Sequence, residues 1–403
     1  MKKVLIFSLN YYPRFIGGAE VAIKEITDRI APSDIEFHMV TLHFDAALPR
    51  EEQIGNVHIH RIGMTRGAPS VGDLQKFPLR YAKYWYQFAA ARAAAKLHRT
   101  YRFDATWAMM AHSCGIPAGI FKRRHPEVKY LLTLQEGDPP EYIERLAWPV
   151  WPWFVRGFTE ADALQAISTF LLAWGKRMGF SGLAEVIPNA VNTRHFAAPI
   201  TPEEREARRA ALSAKEDDVL LVTTSRLVKK NAVDDVIRAL ALLPENMRFI
   251  VYGIGPDEPM LRELAEREGV AARVRFEGQI SHAELPAALK ACDIFIRPSR
   301  SEGMGNSFVE AMAAELPVIA TQEGGIADFL FDERRNPEEE ATGLAVDKDS
   351  PVQIAEAVRD IRAHPEKVQR ITKTAKTLAF SKYDWNIIAT RMKALFERMF
   401  SVS

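Results

Sequence analysis

Short apolar runs alternate along the chain with segments whose apolar positions recur at helical spacing. The runs are rich in Val, Ile, Leu and Phe, as expected of strands buried on both faces of a parallel sheet. In the front half these runs cover residues 4–9, 37–42, 57–62, 105–109, 130–134, 163–167 and 185–187. In the back half they cover residues 219–224, 248–252, 274–277, 294–297, 318–320 and 343–346. The pattern predicts two α/β domains, each with a parallel sheet between helices.

The boundary between the two sets of strands is marked by residues 187–196, where a strand end runs into a Pro-Asn turn. Such a segment is typical of a linker. We predict an N-terminal domain over residues 1–188 and a C-terminal domain over 189–382. A final helix at about 383–403 is expected to pack back onto the first domain. Because open α/β sheets bind ligands beyond the carboxyl ends of their strands, two sheets facing a central cleft would bring two ligands together.

The composition is that of an ordinary soluble protein, with 403 residues, 47% hydrophobic and 26% charged, and a net charge of +1. A chain of this length favours more than one domain. Cys114 and Cys292 lie far apart in the sequence, which indicates neither a disulfide framework nor a zinc cluster. The first apolar run ends without a small-residue cleavage site, so we expect a strand there rather than a signal peptide. We therefore expect a cytoplasmic protein with no nucleic-acid partner.

Two features of the front half suggest contact with an anionic surface. Residues 141–158 contain three tryptophans and two prolines, and tryptophan suits both sugar faces and membrane interfaces. A basic stretch without acidic residues consists of Lys76, Arg80, Lys83, Arg92, Lys96, Arg99 and Arg102. Together they favour peripheral contact with the inner face of the membrane. The alternative for the basic stretch is a solvated helix face, and the alternatives for residues 141–158 are an aromatic core and a stiff loop.

The most informative segment is 292–313, in which a strand runs into a glycine-bearing loop and then a helix. Backbone N–H groups at such a helix start can bind an anion. Glu302 lies in the loop and Glu310 about one turn into the helix, so their carboxylates could accept hydrogen bonds from sugar and ribose hydroxyls. The alternative for Glu310 is a capping box with Ser307, in which it would only bond the backbone at the helix start.

Motifs in a fixed order along nearly the whole chain resemble glycosyltransferase family 4. The resemblance rests on the glycine loop at 17–20, the Pro-Asn segment at 186–192, and the segments 225–230, 251–256, 276–280, 302–310, 316–321 and 324–325. It implies the GT-B fold, with two Rossmann-like domains. It also implies a nucleotide-diphosphate sugar as donor, transfer with retention at the anomeric carbon, and neither an obligatory metal nor a cofactor.

The resemblance also implies roles for individual residues. Glu310 would hold the donor ribose, and Glu302 would bind a sugar hydroxyl. The amides of Gly303, Met304, Gly305 and Asn306 would contact the sugar and phosphates. Residues 276–280, ending at Ile280, would edge the nucleobase, and Gly253 would lie on the donor side. Gly17 and Gly18 would let the backbone approach the donor phosphate.

A cationic pair is expected at the diphosphate, where charge develops as the leaving group departs. The resemblance assigns Arg226 to this role. The family usually has a lysine five places later, directly before a glycine, but this chain has Asn231 followed by Ala232. The lysine role is therefore transferred to Lys230, with Lys229 as the alternative.

The acceptor side departs from the family pattern as well. Gln135 stands where many members have histidine after a strand. Glutamine can bond a hydroxyl but cannot take a proton at neutral pH, so a general base is excluded at that position. A retaining mechanism in which the departing diphosphate accepts the proton tolerates this change. Asp138 and His112 are further candidates on the acceptor side.

These residues predict a glycosyltransferase that moves a hexosyl unit from a GDP-mannose or UDP-hexose type of donor to a glycan or lipid-linked acceptor. The product would belong to a cell-surface polysaccharide or glycolipid. Two alternatives remain open: a sugar-nucleotide epimerase or hydrolase on the same fold, and a non-catalytic nucleotide-sugar-binding scaffold.

Overall fold

The computed structural model describes residues 1–14, 16–63, 67 and 79–401, with side chains in the last range described from residue 81 onward. The strands are β1 (Lys2–Phe7), β2 (Ile35–Leu42), β3 (Glu51–Ile54), β4 (Val57–Ile62), β5 (Ala105–Met109), β6 (Lys129–Leu134), β7 (Ala163–Ala166), β8 (Leu183–Val186), β9 (Val219–Thr224), β10 (Met247–Tyr252), β11 (Val274–Gly278), β12 (Ile294–Arg297), β13 (Val318–Ala320) and β14 (Leu344–Ala345).

Helices follow most of the strands. They are α1 (Gly18–Thr27), α2 (Leu79–Tyr101), α3 (Ile116–Arg124), α4 (Pro140–Ala147), α5 (Trp151–Thr159), α6 (Thr169–Arg177), α7 (Thr193–Ala197), α8 (Pro202–Ala211), α9 (Val233–Ala241), α10 (Glu258–Arg267), α11 (Leu285–Lys290), α12 (Asn306–Ala313), α13 (Pro351–Ala363), α14 (Pro365–Lys382) and α15 (Trp385–Ser401). None of the helices described here is long and apolar enough to cross a membrane.

The chain divides into two compact units. Unit 1 contains residues 1–189 and the segment that begins at Trp385, and unit 2 contains residues 190–384. Unit 1 is built on a sheet with strand order β3-β4-β2-β1-β5-β6-β7-β8. All of its pairings are parallel except that of β3 with β4. The central strands are buried on both faces, which explains their continuous apolar runs.

The final helix α15 belongs to unit 1. Its Phe396 side chain is fully buried and its ring contacts those of Phe37 on β2 and Trp107 on β5. At its solvent face Arg391 donates a 3.0 Å hydrogen bond to Glu185, and Lys393 pairs with Asp34 at 2.6 Å. The apolar stripe of this helix therefore completes the core on one side of the sheet.

Unit 2 repeats the arrangement with a sheet of order β11-β10-β9-β12-β13-β14, in which all strand pairs are parallel. Helix α9 shows how the sequence covers the sheet, because its buried residues Val233, Val236, Ile237 and Leu240 recur at helical spacing. Parallel strands end at the same edge of a sheet, so the loops after β9, β10, β12 and β13 gather at one carboxyl edge.

The predicted fold class is confirmed, and each predicted apolar run overlaps a strand. One strand was not predicted. Strand β3 is a polar edge strand whose residues alternate between exposed and half-buried positions, so it lacks the apolar run of the interior strands. Cys114 and Cys292 are both free thiols in the interior, and burial raises the pKa of the Cys114 thiol to about 12.

Candidate active site

The loop between β12 and α12 forms the centre of the carboxyl edge of unit 2. Gly305 precedes the helix in the left-handed region, with φ of 88°, and a Cβ there would lie 2.5 Å from the Phe308 ring. Only glycine fits this position without displacing that ring. No side chain caps the helix, and the Phe308 N–H donates to the Gly305 carbonyl at 3.3 Å, so the N–H groups of Asn306 and Ser307 are the ones available to an anion.

The capping-box alternative for Glu310 is wrong. Helix α12 begins at Asn306 with Gly305 at the cap, so Ser307 lies inside the first turn instead of preceding it. The Ser307 hydroxyl accepts a 2.7 Å hydrogen bond from Arg297 and is thus engaged elsewhere. Glu310 is therefore free of the backbone role that a capping box would give it.

Glu310 is largely buried at this edge. Its side chain is 14% exposed, and its carboxylate is 3.9 Å from the His282 ring nitrogen. Burial raises the pKa of the Glu310 carboxyl to about 7, while the charge of Arg297 opposes the rise. A carboxyl group that changes charge near neutral pH in a strand-edge site is a candidate ligand-binding group.

Beneath the loop, Arg297 is buried at the end of β12 and binds three partners. It lies 2.5 Å from Glu302 Oε2 and 3.0 Å from Asn231 Oδ1, and it donates to Ser307 as described above. The guanidinium also lies 5.2 Å from the centre of the Phe308 ring. This interior cation was not anticipated from the sequence, and it fixes the Glu302 carboxylate in place.

The Glu302 backbone is held from the other side by the two glycines after β13. Gly325 donates its N–H to the Glu302 carbonyl at 3.0 Å. Gly324 adopts a φ of 61°, and a Cβ there would lie 2.1 Å from the same carbonyl oxygen. Both the side chain and the backbone of Glu302 are therefore fixed before any ligand binds, as a preorganised site requires.

The cationic candidates lie in the loop after β9. Arg226 is exposed, and its side chain forms no ion pair with any residue that the structure describes. Asn231 donates from Nδ2 to the Arg226 carbonyl at 2.6 Å. Since Asn231 also accepts from Arg297, one chain of hydrogen bonds joins the Arg226 backbone to Glu302.

Lys229 and Lys230 belong to a turn that is anchored by Arg300. The Arg300 N–H donates to the Lys230 carbonyl at 2.7 Å, and its side chain donates to the Lys229 carbonyl at 2.6 Å. Asp234 and Asp235 fix the Arg300 guanidinium from below, each at 2.8 Å. Lys229 is exposed and Lys230 is half-buried. These bonds fix the backbone of the turn, so the side chains of Lys229 and Lys230 both extend from a backbone of fixed position.

Gly253 allows the end of β10 to approach the loop after β9. Its φ is 143°, and a Cβ would lie 1.8 Å from the Ser225 carbonyl oxygen. Its N–H donates to the Gly278 carbonyl at 2.7 Å, at the end of β11. Ile280 follows two residues later and is half-buried. Gly253 and Ile280 thus lie at neighbouring strand ends, beside the Arg226 loop.

Several hydroxyl groups at the ends of β9 and β12 are buried without a hydrogen-bond partner among the described residues. They are Oγ1 of Thr223, Oγ1 of Thr224, Oγ of Ser225 and Oγ of Ser299. Buried hydroxyls usually have partners, so a set of unpaired ones at a single edge indicates a place where a polar ligand or water binds.

In unit 1, the predicted glycines lie at the start of α1. Gly17 caps the helix, and its N–H donates to Glu20 Oε2 at 2.8 Å. Gly18 is exposed and has open space around its α-carbon. Both positions follow the end of β1 and leave the backbone accessible to a ligand.

The acceptor-side candidates surround a carboxylate that was not predicted. Glu136 is buried two residues after the end of β6 and accepts from the N–H groups of Ala111 at 2.6 Å and Gln135 at 2.9 Å. His112 Nδ1 lies 3.7 Å from the same carboxylate. Glutamate is rarely fully buried unless it is paired, so nothing in the sequence signals that this carboxylate lies in the interior.

The side-chain amide of Gln135 forms two hydrogen bonds with that of Asn189. Its Nε2 donates to Asn189 Oδ1 at 3.1 Å, and Asn189 Nδ2 donates to Gln135 Oε1 at 3.2 Å. The reciprocal pair fixes the orientation of both amides, and it leaves each with spare hydrogen-bonding capacity. Asp138 is exposed three residues further along the loop. The structure thus brings Gln135 and His112 together around Glu136.

One trio among the described residues has the composition of a metal site. His98, His125 and Glu127 place one ligand atom each within 4.8 Å of the others. However, the Phe103 N–H donates to His98 Nδ1 at 3.1 Å, so the ring proton of the neutral side chain lies on Nε2, which faces Glu127 at 3.7 Å. That nitrogen has no lone pair for a metal, and the trio does not fit a metal centre.

Comparisons with known proteins agree with this geometry. A profile described as Glycosyltransferase Family 4 matches residues 16–195, and one described as Glycosyl transferases group 1 matches residues 204–378. The chain is 26% identical over 323 residues to the GDP-mannose-dependent monoacylated alpha-(1-6)-phosphatidylinositol monomannoside mannosyltransferase of Corynebacterium glutamicum, covering 76% of this chain and 80% of that protein.

Solved structures share the fold at lower identity. A sucrose-phosphate synthase from Thermosynechococcus elongatus superposes with a TM-score of 0.81 at 20% identity, covering 100% of both chains. HepE from Anabaena, in complex with UDP-glucose, superposes with a TM-score of 0.77 at 18% identity, covering 99% of this chain and 100% of that one. The fold, the strand-edge site and the matches together define a glycosyltransferase. The chain belongs to glycosyltransferase family 4 and has its GT-B fold.

Proposed function

We propose that the protein transfers a hexosyl unit from a nucleotide-diphosphate sugar to a glycan or lipid-linked acceptor, with retention at the anomeric carbon. The observation that carries the proposal is the arrangement at the carboxyl edge of unit 2. There an immobilised carboxylate, Glu302, lies in the loop that leads into the uncapped start of α12, and Glu310 lies one turn along the same helix. This combination suits a ligand with an anionic diphosphate between two hydroxyl-bearing rings.

The diphosphate would bind to N–H groups at the start of α12 and to the exposed guanidinium of Arg226. As the bond to the sugar breaks, negative charge accumulates on the diphosphate. A fixed cation and oriented N–H groups stabilise that charge as it forms. Lys230, or Lys229 in its place, would add a second positive charge. Catalysis then needs no metal at this site.

The two carboxylates would hold the rings on either side of the diphosphate. Glu302, kept in position by Arg297 and by Gly325, would accept from a sugar hydroxyl. Glu310 would accept from the ribose diol in its ionised form. The nucleobase would lie near the ends of β10 and β11, beside Gly253 and Ile280.

The proton of the acceptor hydroxyl would pass to the departing diphosphate. Gln135 cannot take it, because an amide is not basic at neutral pH. The Gln135–Asn189 pair would orient the acceptor or the sugar through hydrogen bonds, and Glu136 would hold His112 beside it. Unit 1 would thus position the acceptor while unit 2 activates the donor.

The class of donor and acceptor is drawn from the relatives. The relative from Corynebacterium is named for GDP-mannose and a phosphatidylinositol mannoside, and HepE was solved with UDP-glucose. A GDP-mannose or UDP-hexose type of donor and a lipid-linked or glycan acceptor are therefore the first to test. The exposed tryptophans of residues 148–153 support peripheral contact with an anionic membrane.

The test is incubation of the purified protein with a panel of labelled nucleotide sugars, with and without a bacterial lipid extract, followed by separation of the products. Transfer of label to a lipid or glycan supports the proposal. Release of free sugar without an acceptor would favour a hydrolase, and a changed sugar on the nucleotide would favour an epimerase. Nucleotide binding without any conversion would favour a non-catalytic scaffold.

A further inference from the structure

A groove runs across the outer helices of unit 1, away from the strand ends that form the candidate sites. It has a volume of about 1070 Å³ and lies between α2, α3 and α5. Its floor includes Gly119 on α3, where a Cβ would lie 3.3 Å from the Arg156 carbonyl of α5. The close approach of these two helices leaves room for the groove beside α2.

Four arginines line the groove, and together they make it strongly basic. They are Arg92 on α2, Arg123 and Arg124 at the end of α3, and Arg156 on α5. All four are exposed. Arg123 has a long ion pair, 3.9 Å from Glu160. The other three form no ion pair with residues in the described part of the chain, so their charge is available to an external anion.

Aromatic side chains form the rim of the groove. Trp85 is 50% exposed, Phe88 is 45% exposed and Trp153 is 40% exposed. The rings of Phe88 and Trp153 meet edge to face across the gap between α2 and α5, with centroids 6.1 Å apart. Further large apolar or aromatic side chains are exposed on α2, at the end of α4, on the α4–α5 connection and on α5; they are Tyr81, Tyr84, Leu146, Trp148 and Trp151.

We infer that this groove binds the phosphate of an anionic lipid at a membrane surface, with the arginines around the phosphate and the aromatic rim at the level of the headgroups. Arginine binds phosphate through two parallel N–H donors. Tryptophan and tyrosine favour the membrane interface, where one end of the ring meets water and the other meets lipid. The inference rests on the proposed function, since a lipid-linked acceptor requires the enzyme to work at a membrane.

Exposed apolar side chains just before α5, outside the groove itself, favour a lipid over other polyanions. Leu146 is 48% exposed and Trp148 is 76% exposed, and neither is paired with a basic residue that would hold a nucleic-acid backbone. An exposed leucine gains nothing from water or from a phosphodiester chain, whereas it is stabilised on transfer into the membrane interface. In the groove itself the arginines share the lining with Trp85, Phe88 and Trp153, and a headgroup with attached acyl chains requires charge and apolar surface together.

The test is sedimentation of the full chain with vesicles of phosphatidylcholine alone and with vesicles of phosphatidylcholine and phosphatidylglycerol in equal parts. We expect binding to the anionic vesicles that weakens with added salt. Each arginine removed near such a surface lowers the partition coefficient about fivefold, so the double variant Arg92→Gln, Arg124→Gln should bind about 25-fold more weakly. Trp153→Ser should also weaken binding, but without changing its dependence on salt.

Two controls keep the outcome clear. Arg99→Gln removes an exposed charge from α2 outside the groove. Its binding to anionic vesicles should weaken only as much as the loss of one positive charge anywhere on the surface would weaken it. Thermal unfolding of each variant shows whether the fold is retained. Equal binding to neutral and anionic vesicles, or equal binding by the double variant and Arg99→Gln, would overturn the inference. A preference of the chain for a single-stranded oligonucleotide over anionic vesicles would also overturn it.

The lipid inference and the proposed function can fail separately. Nucleotide-dependent thermal stabilisation of the wild-type chain is measured in the absence of vesicles. Vesicle binding without nucleotide stabilisation would contradict the donor assignment while leaving the groove in place. Nucleotide stabilisation without vesicle binding would contradict the groove while leaving the donor site in place.

Discussion

The guanidinium of Arg297 and the carboxylate of Glu302 form a buried ion pair at 2.5 Å, five residues apart around the turn that leaves β12. Both side chains are 10% exposed. Since little water reaches either group, each charge is stabilised mainly by the other. The Glu302 carboxylate can be aimed at a ligand only while Arg297 remains beneath it.

Arg297→Leu should leave the Glu302 charge without its partner. Removal of one member of a buried ion pair costs about 3–5 kcal/mol, so the free energy of unfolding should fall by about that amount. Turnover should fall at least tenfold, because Glu302 loses its fixed position. Denaturant unfolding and donor turnover measure the two effects. Arg297→Lys is the matched control and should recover part of both.

The same ion pair allows a double-mutant test. In the variant Arg297→Leu, Glu302→Gln, no buried charge is left unpaired, so the double variant should be more stable than Arg297→Leu alone. Its turnover should stay low, since the variant lacks the carboxylate proposed to accept from the sugar hydroxyl. Additive losses of stability would mean that the two groups do not interact.

The fold was largely predictable, because strands buried on both faces must be apolar throughout. The site was predictable only in part. Gly305 caps α12 from the left-handed region, and the pattern Ser307 to Glu310 does not reveal this backbone conformation. Arg297 binds residues 302 and 307 of its own loop and helix, and it also binds residue 231. Nothing in the sequence links residue 231 to the other three. Gln135 and Asn189 likewise meet across 54 positions.

Glu310 should make stability and nucleotide binding depend on pH. Its pKa is raised from 4.5 to about 7 by burial, so between these values the folded chain holds a proton that the unfolded chain has lost. Stability from this group is present below pH about 4.5 and is lost as the pH rises to about 7, by a magnitude on the order of 3 kcal/mol. In Glu310→Gln this loss should disappear, while the exposed control Glu266→Gln should behave as wild type in urea unfolding.

The affinity for a nucleotide diphosphate should depend on pH in the opposite sense to stability and increase as the pH rises. If Glu310 holds the ribose as proposed, its ionised form would accept from the two hydroxyls, so affinity should rise as the pH passes through about 7. The Glu310→Gln variant should bind more weakly and lose this rise. A wild-type affinity that is constant across neutral pH would remove Glu310 from the ribose site.

His38 should make unit 1 sensitive to acid. It is buried on β2, 2.7 Å from Glu36 and 3.2 Å from His60, and burial lowers its pKa from 6.5 to about 4. The unfolded chain therefore binds a proton more readily between these values, and stability falls as the pH drops from about 6.5 to 4. His38→Asn should flatten this fall in unfolding experiments. The exposed control His364→Asn should leave the fall unchanged.

Gly253→Ala should displace the loop that carries Arg226. The new Cβ would meet the Ser225 carbonyl at 1.8 Å, so the backbone at one of the two strand ends must move. We expect a loss of nucleotide binding of at least tenfold along with a lower melting temperature. Gly269→Ala is the matched control, since its φ is also positive, at 70°, but its Cβ would meet nothing within 4 Å. Similar losses of binding in both variants would show that strain, not displacement of the Arg226 loop, is responsible.

The central claim is that unit 2 holds a nucleotide diphosphate between Arg226 and the start of α12, and calorimetric titration of the purified chain with GDP and with UDP tests it most directly. We predict that one of the two binds at a single site. Because hydrogen bonds to charged groups contribute about 1.5–3 kcal/mol, Arg226→Ala should lower the affinity at least tenfold. The exposed control Arg267→Ala should leave the affinity unchanged. Binding of neither nucleotide, or equal affinity in Arg226→Ala and wild type, would contradict the account.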